Sequence, residues 1–401
     1  MDTTTPKPTS QRILSIDIVR GLTLLLMLFV NDLYMPGVPA WLGHTEMNFD
    51  GMGLADWVFP SFLFMVGISI PYAIEARRRR GASDLAITGH ILWRTLSLIC
   101  IGVALLNAGR INPEMTGITS QTWRWLFYLF LFMLWNNYPR ESRYALVFKI
   151  LRAIGFVGII TLLAIFRAGT PEDPQWLVAS WWGILGLIGW GYAVAAFTSL
   201  ATRGSLVGAV VVWAIFLGLN CLSSAGVNDW AVSLRPILGT VLQGNTPMIV
   251  LTGLVTGTYF MRSSHDKRRK MWTLVVAGVV SIVAGFVLRN WYIISKILAT
   301  PSWGLICNGI SLLLLALVFY RTDICGRTRY TSLLSTTGRN SMTTYLAPSV
   351  LYSAIALLPF RLLFYKQPDS ALLAICGSAA WAIAMAYFSI LLEKLHIKLK
   401  L

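Results

Sequence analysis

Apolar runs of about 20 residues recur along the whole chain, each closed by basic residues, prolines or glycines, and this pattern excludes most folds. A run of that length crosses the ~30 Å hydrocarbon core of a bilayer as a helix and is about twice what a barrel strand needs. Twelve such segments are readable, at 13–34, 54–76, 88–107, 121–136, 144–167, 176–200, 205–223, 245–262, 271–290, 301–320, 340–359 and 370–392. Only 12% of the residues are charged, against roughly 25% in soluble domains, so the chain cannot cover a soluble surface. Lipid requires every backbone amide to be paired internally. The expected fold is therefore all-α, a polytopic membrane helix bundle of about 12 transmembrane helices (10 to 12). It forms a single domain over 13–395, with tails at 1–12 and 396–401. The run from Ile13 to Val30 is longer than a signal-peptide core and reads as a retained first span.

The net charge of +16 is explained by where the cations lie. With both termini cytoplasmic, the inner segments hold Lys7 and Arg12, Arg77 to Arg80, Arg143 and Lys149, Arg262 with Lys267 to Lys270, Arg321 to Arg339, and Lys394 to Lys400. Outer loops keep single charges such as Arg235 and Lys296. That is the positive-inside pattern of a membrane protein and calls for no nucleic-acid partner. The five cysteines stand singly, without a disulfide framework or a metal-site spacing. Paired tryptophans, Trp123 with Trp125 and Trp181 with Trp182, fall near span ends, as an interfacial aromatic belt would.

One stretch differs. From Asn31 to Glu75 there is no Lys or Arg, while Asp32, His44, Glu46, Asp50 and Asp56 all fall within it. Its loop is the first on the outer side. His90, His265 and His396 belong to the inner face, so His44 is the outer imidazole and the candidate general base or nucleophile. An interfacial histidine beside Trp41 would look the same. Asp32, Asp50 and Asp56 are candidates to orient the ring or to attract an ammonium acceptor, because ionisable groups near span depth are costly and mark function. Asp17 and Arg20, three residues apart, share a helix face. They either neutralise each other or leave Arg20 facing an anionic co-substrate. Pro60, Gly67 and Pro71 interrupt the second span, which frees backbone groups that can line a cavity.

Taken together, SIDIVRGLTLLLMLFVN (Ser15 to Asn31), His44 and LADWVFPSFLFMVGISI (Leu54 to Ile70) resemble the start of the membrane domain of the heparan-alpha-glucosaminide N-acetyltransferase family. WWGILGLIGWGYAVAA (Trp181 to Ala196), SKILATPSWGL (Ser295 to Leu305) and GRNSMTTYL (Gly338 to Leu346) continue the likeness, and bring in Lys296 and Asn340. The resemblance implies a multi-pass acetyltransferase that takes acetyl from cytosolic acetyl-CoA, without a metal, and passes it to an amine on the far side. The expected acceptor is an amino sugar such as a terminal glucosamine. The family's catalytic histidine and the asparagine closing its preceding span match His44 and Asn31. Arg20 or Arg94 is expected at the acetyl-CoA entrance. A bacterial inner membrane is the expected location, and a second copy of the chain is allowed for as a partner. Two other readings stand beside it. One is an O-acetyltransferase of envelope glycans. The other is a proton-coupled transporter using Asp17, His44 and Asp56, although no inverted repeat supports it.

Overall fold

A computed structural model of the chain describes residues 13–139, 141–227, 233–329, 331–355 and 363–401. The expected N-terminal tail at 1–12, with Lys7 and Arg12, lies outside them. The described chain is built from helices α1 (Leu14–Asp32), α2 (Leu54–Arg78), α3 (Asp84–Asn107), α4 (Pro113–Thr116), α5 (Ser120–Trp135), α6 (Ala145–Ile165), α7 (Gly183–Ala201) and α8 (Leu206–Ser224). They are followed by α9 (Arg235–Gln243), α10 (Asn245–Arg262), α11 (Lys267–Leu288), α12 (Pro301–Phe319), α13 (Ser332–Arg339), α14 (Ser341–Ile355) and α15 (Ala371–Lys394). A two-residue hairpin, β1 (Ala168–Gly169) with β2 (Pro174–Gln175), sits between α6 and α7.

Among the described residues nine helices are long and apolar enough to cross a membrane, and α9 with α10 makes a tenth, bent by 48°. The other two expected spans exist as helices but are short. They are α5, with 16 residues, and α14, with 15, against the ~20 a straight crossing needs. Residues 356–359 of the latter span lie outside the described set. The sixth span begins at Gly183, not at 176, because the hairpin and a left-handed turn at Ser180 and Trp182 (φ 44° and 69°) precede it. Trp123, expected in an interfacial belt, is instead fully buried: it stacks on Phe127 and donates its indole N–H to the Leu162 carbonyl.

Burial grades the helices from the inside of the bundle outward, with α3 (50% buried) and α15 (28% buried) in between. The apolar windows of α1, α2, α7 and α12 are 61 to 72% buried, while those of α6, α8 and α11 are 11 to 17% buried. The second group turns large side chains such as Val157, Ile215 and Val280 outward, as lipid-facing helices do. The inner group packs through small residues, which let backbones approach where no hydrophobic effect drives helices together. A Cβ on Gly67 of α2 would stand 1.9 Å from the Val250 carbonyl, and one on Gly253 of α10 would stand 2.0 Å from the Phe64 carbonyl. Glycine is required at that crossing for space. The helix α2 thus runs through the middle of the bundle, from the His44 loop to the basic turn at Arg77–Arg80.

Candidate active site

Asp56 sits in the first turn of α2, where its carboxylate caps the helix by accepting the Gly53 N–H at 2.9 Å. A helix N-terminus favours negative charge, so the position suits a buried acid. The same oxygen accepts from Thr45 N–H (3.1 Å) and Thr45 Oγ1 (3.0 Å). Asp56 Oδ1 lies 2.8 Å from His44 Nδ1. The carboxylate is fully buried while His44 remains half exposed. An anionic acceptor at Nδ1 holds the proton on that nitrogen and leaves the basic lone pair on Nε2.

The third member comes from a distant part of the chain. Lys296 Nζ is 2.9 Å and 3.3 Å from the two ring nitrogens of His44, and 3.8 Å from Asp56 Oδ1. Burial pulls its amine below the ordinary lysine range, against the opposing attraction of Asp56. Lys296 belongs to the loop between α11 and α12, which is stitched to the His44 loop. Asp50 accepts from Ile294 N–H and Arg289, both at 2.8 Å, Gly51 N–H donates to the Ile294 carbonyl, and Ser295 Oγ donates to the Met47 carbonyl. These bonds hold the Asp50 carboxyl below its usual range.

The far side of the lysine loop is fixed by the break between α9 and α10. Gly244 occupies the left-handed region (φ +80°), and a Cβ there would also meet Asn220 N and the Phe216 carbonyl at 2.7 Å. The backbone groups around the break are taken up by two buried amides. Asn220 Nδ2 donates to the Gln243 and Ala299 carbonyls, and Asn245 Nδ2 donates to the Thr300 carbonyl and Asn220 Oδ1. Non-helical backbone at membrane depth is tolerated where protein or a cavity surrounds it. Here it borders a cavity of about 670 Å3 lined by Asn31, His44, Trp182, Arg235, Asn245 and Lys296, among others.

A second cavity, of about 370 Å3, lies at the opposite end of α1, α2 and α7 and gathers Arg20, Arg77, Arg94, Arg339 and Lys400. The two cavities share a stripe of α2. Ala55, Phe59 and Leu63 face the first, while Phe62, Val66, Ser69, Ala73 and Arg77 face the second. These positions recur every three or four residues, hence on one helix face, over ~33 Å of helix axis at 1.5 Å per residue. Arg20 pairs with Asp17 at 3.4 Å and donates to Ser69. Arg94 lies over the Tyr192 ring, and its Nε is buried with no hydrogen-bond partner. An anionic group would fit beside that unused donor.

The structure therefore joins His44 with Asp56 and puts Asn31 on the same cavity. It turns two expected carboxylates elsewhere. Asp50 ties the loops together as described. Asp32 is buried at the end of α1, paired with Lys366 at 2.7 Å and accepting from Tyr352 and from Tyr365 at 2.8 Å. Burial and this carboxylate push the Tyr365 hydroxyl up, so it stays a donor. Arg20, Arg94 and Asn340 all line the basic cavity. Asn340 Nδ2 donates to Glu393. Sequence reasoning took Lys296 only as a collinear match and missed its place against His44. It also missed Arg235 and the bent pair, although Gly244-Asn245 before an apolar run was a readable sign.

The domain of unknown function DUF5009 matches residues 12–175. The heparan-alpha-glucosaminide N-acetyltransferase of Mus musculus is 41% identical over 103 residues, 26% of this chain and 15% of the relative. The protein of the same name from Homo sapiens is 41% identical over 96 residues, 24% of this chain and 14% of the relative. The matched region thus spans about a seventh of these relatives' length. The likeness supports a related acyltransferase family.

Proposed function

We propose that this protein is a membrane acetyltransferase that accepts acetyl-CoA at the basic end of the bundle and acetylates an amine, such as that of a terminal amino sugar, at the His44 end. In this reading the chain crosses the membrane twelve times with both termini cytoplasmic, so the basic cavity faces the cytosol. The observation that carries it is the continuous stripe of α2 linking the His44 cavity to the cavity of Arg20, Arg77 and Arg94. A nucleotide's phosphates suit the arginines. The pantetheine arm is long and carries little charge, which suits the apolar stripe between Phe59 and Val66.

At the far end the amine nitrogen attacks the thioester carbonyl while His44 Nε2 takes its proton. The carbonyl oxygen becomes an oxyanion, which the Asn31 amide N–H and the Lys296 ammonium stabilise, a contribution of about 3 kcal/mol for one good donor. Collapse expels the thiolate, which takes the proton back from the imidazolium. Asp56 holds the ring throughout and balances its charge. The same geometry allows acetyl transfer through His44 itself, and an acetyl-enzyme trapped with acetyl-CoA alone would identify that route.

Purified protein is expected to release CoA from acetyl-CoA when glucosamine or a terminal glucosaminide is supplied. His44→Ala should lose this activity and keep its melting temperature. Equal turnover by the variant would remove His44 from the mechanism, and acetylation of a hydroxyl in the isolated product would move the acceptor class from amine to alcohol.

A further inference from the structure

A second recess at the basic end takes no part in the chemistry above. It encloses about 700 Å3 between the ends of α2, α10, α11 and α12, with Ile13 at its rim, on a different face of α2 from the arginine cavity. Arg79 and Arg80 enter it from the turn that follows α2, and Lys267 and Lys270 from α11. Cations at this end of a membrane bundle are the ordinary orientation signal, so their sign alone means nothing.

Convergence and unused donors set this group apart. Its carboxylates are already engaged: Glu75 pairs with Arg79 at 2.8 Å, and Asp323 accepts from Ser15 N–H and Thr322 Oγ1. Lys267 donates one ammonium proton to the Asp323 carbonyl (2.7 Å), and Lys270 donates one to the Phe260 carbonyl (3.1 Å). Each ammonium has three protons, so two remain on each. Among the described residues the Arg80 guanidinium has no hydrogen bond or ion pair. The Tyr72 hydroxyl, in the same wall, is buried without a partner. The wall beside Lys267 is a π-helical turn, Tyr320–Ile324, an irregularity frequent at functional sites. His265, bonded to the Tyr259 hydroxyl, also lines the recess, and the rest of the lining is apolar, chiefly Ile13, Phe260, Met261 and Phe319.

We propose that this recess binds an anionic membrane phospholipid, with its phosphate oxygens on Arg80, Lys267 and Lys270 and its glycerol and first methylenes on Phe260, Met261 and Phe319. Cations with unused donors beside an apolar lining match an amphiphile. A free inorganic phosphate would use the cations and leave that lining bare.

The test uses the full-length protein in detergent, with phosphatidylglycerol, phosphatidylcholine of the same acyl chains, and inorganic phosphate as probes. Native mass spectrometry is expected to retain a phosphatidylglycerol adduct, and that lipid alone should raise the melting temperature. Each basic residue near an anionic surface contributes enough that the Arg80→Gln, Lys270→Gln double variant should bind phosphatidylglycerol roughly thirty-fold more weakly. Its KM for acetyl-CoA should stay unchanged. Tyr72→Phe, which keeps the ring and the fold, should weaken the adduct roughly five-fold. Equal retention of both lipids, equal protection by inorganic phosphate, or a raised acetyl-CoA KM in the double variant would each overturn the proposal. The last would make the recess part of the co-substrate site.

Discussion

At the Asp56 end of α2 a carboxylate is fully buried and all its bonding capacity is used, whereas at the Arg77 end five cations line a cavity and Arg94 keeps a buried Nε without a partner. The first arrangement is rigid because its bonds converge from Gly53 at the start of α2, from His44 and Thr45 in the loop before it and, through its charge, from Lys296 in a distant loop. Preorganised groups of this kind stabilise a charge that appears only during reaction. The second arrangement holds charge that is incompletely satisfied, as a site does for a ligand that arrives already charged. Two ends of one helix can in this way divide a reaction into a handle and a reacting centre.

Substitutions at the reacting end should change kcat, and those at the other end KM. The largest effect is expected for Asp56→Asn, which keeps the cap at Gly53 but removes the anion behind the imidazole. Its kcat should fall roughly 10²- to 10⁴-fold with little change in acetyl-CoA KM. If KM moved instead, the division would be wrong. Lys296→Met should lower kcat roughly 10²-fold, as loss of an oxyanion donor does. Its wild-type amine sits below the ordinary value of 10.5 because of burial, so the activity that needs the ammonium should decline below that pH as alkali is added. A pH profile of the variant should lack this limb.

At the basic end, Arg94→Gln should raise the KM for acetyl-CoA roughly ten-fold with kcat kept, the scale of one charge-assisted hydrogen bond. Isothermal titration with CoA would measure it directly. The smallest effect belongs to Asp50, half exposed and tied to Arg289. Its carboxyl is held down by the Ile294 N–H and Arg289. The stability it contributes is therefore present above its ordinary value of 3.8 and is lost as pH falls through the lower folded value. Melting curves of Asp50→Asn should lose part of this acid dependence and show only a small change at neutral pH.

Much of this architecture was legible because lipid imposes simple demands on sequence. Each of the twelve apolar runs has a helix within it, and their ends are marked by residues such as Arg77 to Arg80 and the Pro301 that starts α12. His44 stood out as the imidazole placed in a stretch without cations. What could not be read was pairing across distance. Lys296 lies 252 residues from His44, Arg289 lies 239 from Asp50, and Asp32 meets Tyr365 333 residues on. Hydropathy and spacing report on a residue's own helix, and say nothing of which helix packs beside it.

The stretch from Asn31 to Glu75 shows where that boundary falls. Its own residues determined that it would carry acid, one imidazole and no compensating base. Tertiary structure decided that the base would arrive anyway, as Lys366 on Asp32, Arg289 on Asp50 and Lys296 on Asp56. A carboxylate taken from water must find a counter-charge or donors. The sequence shows that need at once, while the partner that meets it is known only when the helices are packed.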